Sequence, residues 1–288
     1  MFPALRFGPV EVSTYVLTIS LAGLLGFWRT YRIVRSRSDA SAMLTLTMIA
    51  FCAGLLGARA LSVLLNRPFY TEEPWSSWLA FWDRSGMALY GGLALASVAG
   101  VAYARAGRLP AWEASDVLVI AWSPSLALVR VGCFLNGCCY GIPTTSPLGL
   151  VAGGPPNAVN FHIPSHPTQL YDAVAILVIF ALATQLWRRR AFPGQVTLCF
   201  LGLYSAFRVY HETLRGDPRL AWRVAPLGTV TFNQVASAVL LAVALGAYAY
   251  LSRRSRDLAR PAAPESVPTF RASAAQPEGQ TNAQRQRQ

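Results

Sequence analysis

Six ionisable residues, Arg59, Asp116, Arg130, Asp172, Arg208 and Glu212, stand within or at the ends of long apolar runs. A charge at the centre of a bilayer-spanning helix costs roughly 2.5–3.5 kcal/mol on insertion scales, so such residues mark a functional site by default. Helix–helix ion pairs, or arginines reaching for the interface, account for any one of them. Three arginines together ask for more. With the topology that the arginine distribution sets, Arg59, Arg130, Asp172, Arg208 and Glu212 fall in the same half of their runs, so they are expected to converge on one cavity near one membrane face. Asp172 and Glu212 offset part of the positive charge; a lipid phosphate could offset the rest through the planar, bidentate donors of arginine. Tyr204, Arg208 and Glu212 are spaced i, i+4, i+8, which stacks them on one helix face with His211 beside them. The plainer reading of that stripe is a polar face turned to the interior of a bundle.

Cys133, Cys138, Cys139, His162 and His166 form a second group with chemical potential, and His162-x3-His166 has the spacing of paired metal ligands. Zinc, copper or redox chemistry is one reading of it. The C-x4-C-C spacing is not that of a standard zinc knuckle. The simpler expectation is therefore no metal and a disulfide from Cys133 to Cys138 or Cys139, since adjacent cysteines bridge only with strain. Cys52 and Cys199 lie inside apolar runs, where a thiol behaves as a small hydrophobe. Gly153, Gly154, Pro155 and Pro156 read as turn residues. Gly91-Gly92 reads as a close helix contact, or as a place where a headgroup approaches the backbone.

The elements that must carry these residues follow from hydropathy. With 53% hydrophobic and 13% charged residues, the chain is too apolar for an ordinary water-soluble domain. Its net charge of +12 comes from arginine alone, with no lysine. Those arginines sit between apolar runs rather than in a basic domain with interleaved aromatics, so anionic lipid headgroups explain them and nucleic acid does not. Apolar stretches at 12–28, 40–65, 87–104, 114–132, 168–187, 195–212 and 228–251 are each near the ~20 residues a helix needs to cross a bilayer. The predicted fold is an all-α integral membrane protein of about seven transmembrane helices, with a small head region of periplasmic loops.

Thirteen arginines follow spans one, three, five and seven, against six in the opposite segments. The positive-inside rule then places the N-terminus in the periplasm and the C-terminus in the cytoplasm of a bacterial inner membrane. Residues 1–256 form the membrane domain in this reading. Residues 257–288, rich in Pro, Ala, Gln, Ser and Arg, form a disordered cytoplasmic tail. Trp75, Trp78 and Trp82, with Phe69 and Tyr70, read as an aromatic belt at the outer interface. No cleavable signal peptide is expected, because residues 1–9 lack a charged n-region and no small-residue cleavage site follows the first run. The lack of an internal repeat makes a secondary transporter the weakest class.

Taken in order, the motifs resemble those of the prolipoprotein diacylglyceryl transferase family. They comprise Tyr15 in the first run, "GARALSVLLNRPFY" with Arg59, "SGMALYGGL", "SDVLVIAWSPSLALVRVGCFLNGCCYG", "HPTQLYD", "YSAFRVYHETLRGD" and "TFNQVAS". The resemblance implies transfer of diacylglycerol from phosphatidylglycerol to the lipobox cysteine of a prolipoprotein. Phosphatidylglycerol, prolipoprotein signal peptides and membrane lipids would be its partners, with no cofactor. It implies that Arg130 and Arg208 hold the headgroup and that Tyr15 and Tyr204 line the same cavity. Asn136, Gly137 and Gly141 would shape the signature turn, and His166, Gln169 and Tyr171 would open the fifth span. Arg59 and Glu212 join the lipid-binding set. Where the family carries a histidine treated as its base, this sequence has Tyr90; where it carries an asparagine and a glutamate, this sequence has Cys133 and Cys138. His166, or a thiolate of Cys133 or Cys138 beside Arg130, can take over from that base. The rival classes are a paralogue that keeps the lipid cavity and uses thiol or metal chemistry, and a lipid binder without catalysis.

Overall fold

Each of the seven apolar runs carries a long helix. The computed structural model describes residues 4–7, 10–67, 87–151, 163–216, 221–224 and 228–259. Its helices are α1 Thr14–Val34, α2 Ala40–Leu65, α3 Leu89–Ala106, α4 Ala111–Asn136, α5 Thr168–Trp187, α6 Gln195–His211 and α7 Phe232–Ala259. Four of them, α2, α4, α5 and α7, are long and apolar enough to cross a membrane. Their apolar surface faces outward: only 11% of the apolar window of α7 is buried, and Leu24, Leu64, Val98, Val174 and Val239 are exposed. An exterior of this kind matches lipid rather than water.

Two features of the ends differ from the sequence reading. Strands β1 Ala4–Phe7 and β2 Val10–Ser13 form an antiparallel hairpin before α1. Strands β3 Ala221–Val224 and β4 Gly228–Thr231 form another before α7. The expected first and last runs each began inside one of these hairpins, because short β-branched stretches are as apolar as helix and too brief to show their period. Gly228, at φ +81°, supplies the left-handed turn residue that opens β4.

Helix α1 also outlasts its apolar run, continuing past Arg29 to Val34. The reason lies in α4. Pro124 has no N–H to give the carbonyl of Ile120, and Arg29 NH2 donates to that carbonyl at 3.0 Å while its Nε donates to Ala121 O at 3.0 Å. A cation at this depth is thus spent on backbone that a proline left unpaired.

The main helix pairs are α1 with α4, α2 with α3, α4 with α5, and α6 with α7. Small residues let them approach. A Cβ on Gly57 would collide with the Gly91 carbonyl, and one on Gly91 with the Gly57 carbonyl, so the glycine pair serves close packing. Gly132 of α4 likewise receives Thr18 of α1. Ile120, Ile176, Val196, Phe200 and Tyr204 fill the centre between α4, α5 and α6, and Val34, Met43, Leu46 and Val117 fill one end between α1, α2 and α4. The aromatic belt at residues 69–82, the 153–156 turn, His162 and the tail beyond residue 259 lie outside the described residues.

Candidate functional site

Near the C-terminal end of α4, Arg130 points into the groove between α5 and α6. Its Nε lies 2.8 Å from Asp172 Oδ2, and the same oxygen lies 3.3 Å from Arg208 NH1. Arg208 NH2 donates to Glu212 Oε2 at 2.9 Å, and Arg215 NH1 stands 3.6 Å from that oxygen. Helix α6 stops at His211, and Glu212 opens a short 3-10 turn, Glu212–Leu214. The i, i+4 pair nevertheless forms across that junction. Asn233 Nδ2 donates to Glu212 Oε1 at 2.7 Å from the start of α7. Arg130 NH2 reaches the Tyr204 hydroxyl at 3.4 Å.

Among the described residues, three guanidiniums, Arg130, Arg208 and Arg215, thus gather around two carboxylates, Asp172 and Glu212. Arg208 NH1 and NH2 are occupied by Asp172, His211 and Glu212, whereas its Nε has no hydrogen-bond partner among the described residues. The Arg130 side chain keeps 11% exposure, against 3% or less for Arg208, Asp172 and Glu212. Of those four groups, Arg130 is the one an outside anion can touch.

A turn built from three chain segments holds this end together. Gly137, at φ +76°, ends α4, and Gly141 N then donates to His166 O at 3.0 Å while Ile142 N donates to Leu214 O at 2.9 Å. A Cβ on Gly141 would strike His166 and sit 2.9 Å from Leu214 O, so only glycine fits this crossing. From α5, Thr168 Oγ1 and Gln169 Nε2 each donate at 2.6 Å, to Cys139 O and Cys138 O respectively. Asn136 is the last residue of α4.

His166 shares a cavity of about 350 Å³ with Tyr171, Tyr210 and His211. Its Nδ1 lies 3.2 Å from the Tyr171 hydroxyl. His211 links that cavity to the charge cluster, with Nδ1 2.9 Å from Arg208 NH1 and Nε2 2.8 Å from Thr168 O. Tyr90 is elsewhere. Its hydroxyl bonds Ser237 of α7, not an arginine, and Ser237 in turn donates to the Asn233 carbonyl at 2.6 Å. Tyr15 is within charge–charge range of Arg130 and of all three clustered thiols. Arg59 is buried at 2% in α2, whose main partner is α3.

The five cysteines are unbridged, so the expected disulfide is absent here, although Cys133, Cys138 and Cys139 have their sulfurs within 4.8 Å of one another. His166 does not join them, being turned to Tyr171. His211, read from sequence as lying beside the Arg208 stripe, does join the charge cluster, and Asn233 completes it without having been singled out from sequence.

The sixth ionisable residue serves another end of the molecule. Asp116 Oδ1 accepts from Thr197 N and Thr197 Oγ1, both at 2.8 Å, and Oδ2 accepts from Gly194 N at 2.9 Å. It caps the first turn of α6 from a neighbouring helix, and the dipole there favours its charge.

Fold and site together define a multi-helix membrane protein with a buried cluster of arginines and carboxylates. A family model described as prolipoprotein diacylglyceryl transferase matches residues 3–250, and the chain belongs to that family of transferases. Relatives named phosphatidylglycerol–prolipoprotein diacylglyceryl transferase include those of Nostoc sp., 29% identical over 91% of each chain, and Symbiobacterium thermophilum, 30% identical over 88% of this chain and 94% of its own. That of Desulfotalea psychrophila is 27% identical over 81% and 87%.

Proposed function

We propose that this chain transfers the diacylglyceryl group of phosphatidylglycerol to the lipobox thiol of a prolipoprotein, in a bacterial inner membrane. The observation that carries the reading is the Arg130 guanidinium, which alone among the four innermost charged groups keeps an opening to the outside, at 11% side-chain exposure. A phosphodiester anion pairs with it. As the cysteine sulfur attacks C3 of the glyceryl unit, the C3–O bond breaks and glycerol phosphate leaves with a second negative charge. Arg130 meets that charge directly, and Arg208 holds Arg130 in place through the shared Asp172. His166 accepts the thiol proton, since its ring faces the open cavity while Tyr90 is committed to Ser237. Tyr15, Tyr204, Arg59, Asn136, Gly141 and Glu212 shape the lipid site around them. The acyl chains have an apolar groove of about 500 Å³ between α1 and α2, lined by Gly23, Leu24, Phe27, Phe51 and Leu55.

In this reading all seven helices span the bilayer. At 17 residues α6 is about 25 Å long, enough for a span that ends at the charge cluster. The cluster lies at the periplasmic face, with the N-terminus on that side and the arginine-rich ends of α1, α3, α5 and α7 in the cytoplasm.

The test is complementation in a bacterium depleted of its own diacylglyceryl transferase, following lipid attachment to a reporter prolipoprotein. Wild type restores it, while Arg130→Ala and His166→Gln, inserted at the same level, do not. Wild type that inserts normally and leaves several reporters unmodified contradicts the proposal.

A further inference from the structure

The three thiols at the end of α4 take no part in the reaction proposed above. Cys133 occupies the last turn of α4, buried at 3%. Cys139 adopts φ +60°, a conformation that residues with a Cβ rarely take. Each of the three thiols contacts the other two, and the three sulfurs lie within 4.8 Å of one another. Thr168 and Gln169 of α5 pin the carbonyls of the cysteine pair at 2.6 Å. The triangle is thus held by backbone that the rest of the fold fixes.

We propose that Cys133, Cys138 and Cys139 form a three-coordinate thiolate site for copper(I). Soft sulfur donors select this ion, and it accepts trigonal coordination. A structural zinc site takes four protein ligands, and no fourth histidine, cysteine or carboxylate joins the group among the described residues, so three soft sulfurs alone match copper(I) better. One copper(I) replaces three thiol protons and leaves a complex of charge −2. Arg215, within charge–charge range of Cys139, offsets part of it. The copper enters already reduced, so no electron transfer is involved. The site rests on the sulfur geometry and not on the lipid reaction, and copper retention is read without any activity, so either reading can fail alone.

The experiment is a copper(I) titration of the full-length reduced protein in detergent, against a chromophoric copper(I) chelator and under anaerobic conditions. Wild type is expected to withdraw one equivalent from the chelator, develop a near-ultraviolet thiolate-to-copper charge-transfer band, and shield three of its five thiols from maleimide. Cys139→Ser and Cys133→Ser each lower retention at least tenfold, whereas the double variant Cys52→Ser, Cys199→Ser retains copper as wild type does. Should a variant fail to fold, the wild-type titration still decides the matter by itself. No copper withdrawn, zinc taken up in preference to copper(I), or copper held equally by the Cys139→Ser protein overturns the site.

Discussion

Two buried charge sites sit on α4 about 20 Å apart, Asp116 near one end and Arg130 near the other, and they are finished to different degrees. At Asp116 the carboxylate oxygens accept three hydrogen bonds from the start of α6, with Arg190 at 3.8 Å on the flank. Its charge is consumed within the protein. At Arg130, Arg208 Nε and Asp172 Oδ1 lack hydrogen-bond partners among the described residues, and one side chain reaches the surface. Buried charge is expensive wherever it stands. A satisfied site spends that cost on holding two helices together; an unsatisfied one keeps charge in reserve for a ligand. Composition does not distinguish the two, but the count of partners does.

Substitutions at the two sites should therefore fail differently. Asp116→Ala strips the cap from α6 and leaves two N–H groups unpaired, so it should cost roughly 3–5 kcal/mol of stability. The molecules that remain folded should transfer lipid at the wild-type rate, as thermal unfolding and activity per folded molecule would show. Unchanged stability would break the comparison at its firmest point. Asp172→Asn removes the carboxylate shared by Arg130 and Arg208; transfer should fall about 100-fold through misplacement of Arg130, with the unfolding temperature shifted less than by Asp116→Ala.

How far the sequence carries this contrast depends on distance along the chain. The seven helical runs were legible because apolar length is a local property, and Arg208 with Glu212 because four residues is one helical turn. Arg130 was legible as a charge in an apolar run, but its link to Asp172 crosses between helices. Asp116 is indistinguishable from Arg130 by hydropathy, because the start of α6 that satisfies it lies 78 residues away at Gly194. Arg29 read only as a cytoplasmic charge, because its partners are the Ile120 carbonyl, which Pro124 leaves without a donor, and the Ala121 carbonyl beside it, 91 and 92 residues on. The cysteine triangle depends on the left-handed turn at Gly137 and Cys139, which composition does not specify.

Smaller effects sharpen the same distinction. Arg29→Ala leaves the Ile120 carbonyl without a donor and should cost about 1–3 kcal/mol, detectable as a lower unfolding temperature with transfer per folded molecule preserved. The weakest effect belongs to the loop between α1 and α2. There Arg37 donates to both Asp39 oxygens, at 2.8 and 3.0 Å, and holds that carboxyl below its ordinary range. A depressed carboxyl stabilises the fold above its unfolded pKa of about 4, and the contribution disappears as pH falls through the lower folded value. Arg37→Ala should flatten this small acid-side slope of unfolding temperature against pH and leave the neutral-pH rate untouched.

The most direct test of the reserve charge is transfer by purified protein to a lipobox peptide, with phosphatidylglycerol or phosphatidylcholine as donor, for wild type and Arg130→Ala. The account predicts thioether product from the anionic donor only, and a fall of about 10²–10³-fold in kcat/KM per folded molecule for Arg130→Ala. Equal rates for the two proteins, or equal use of the two donors, would contradict it.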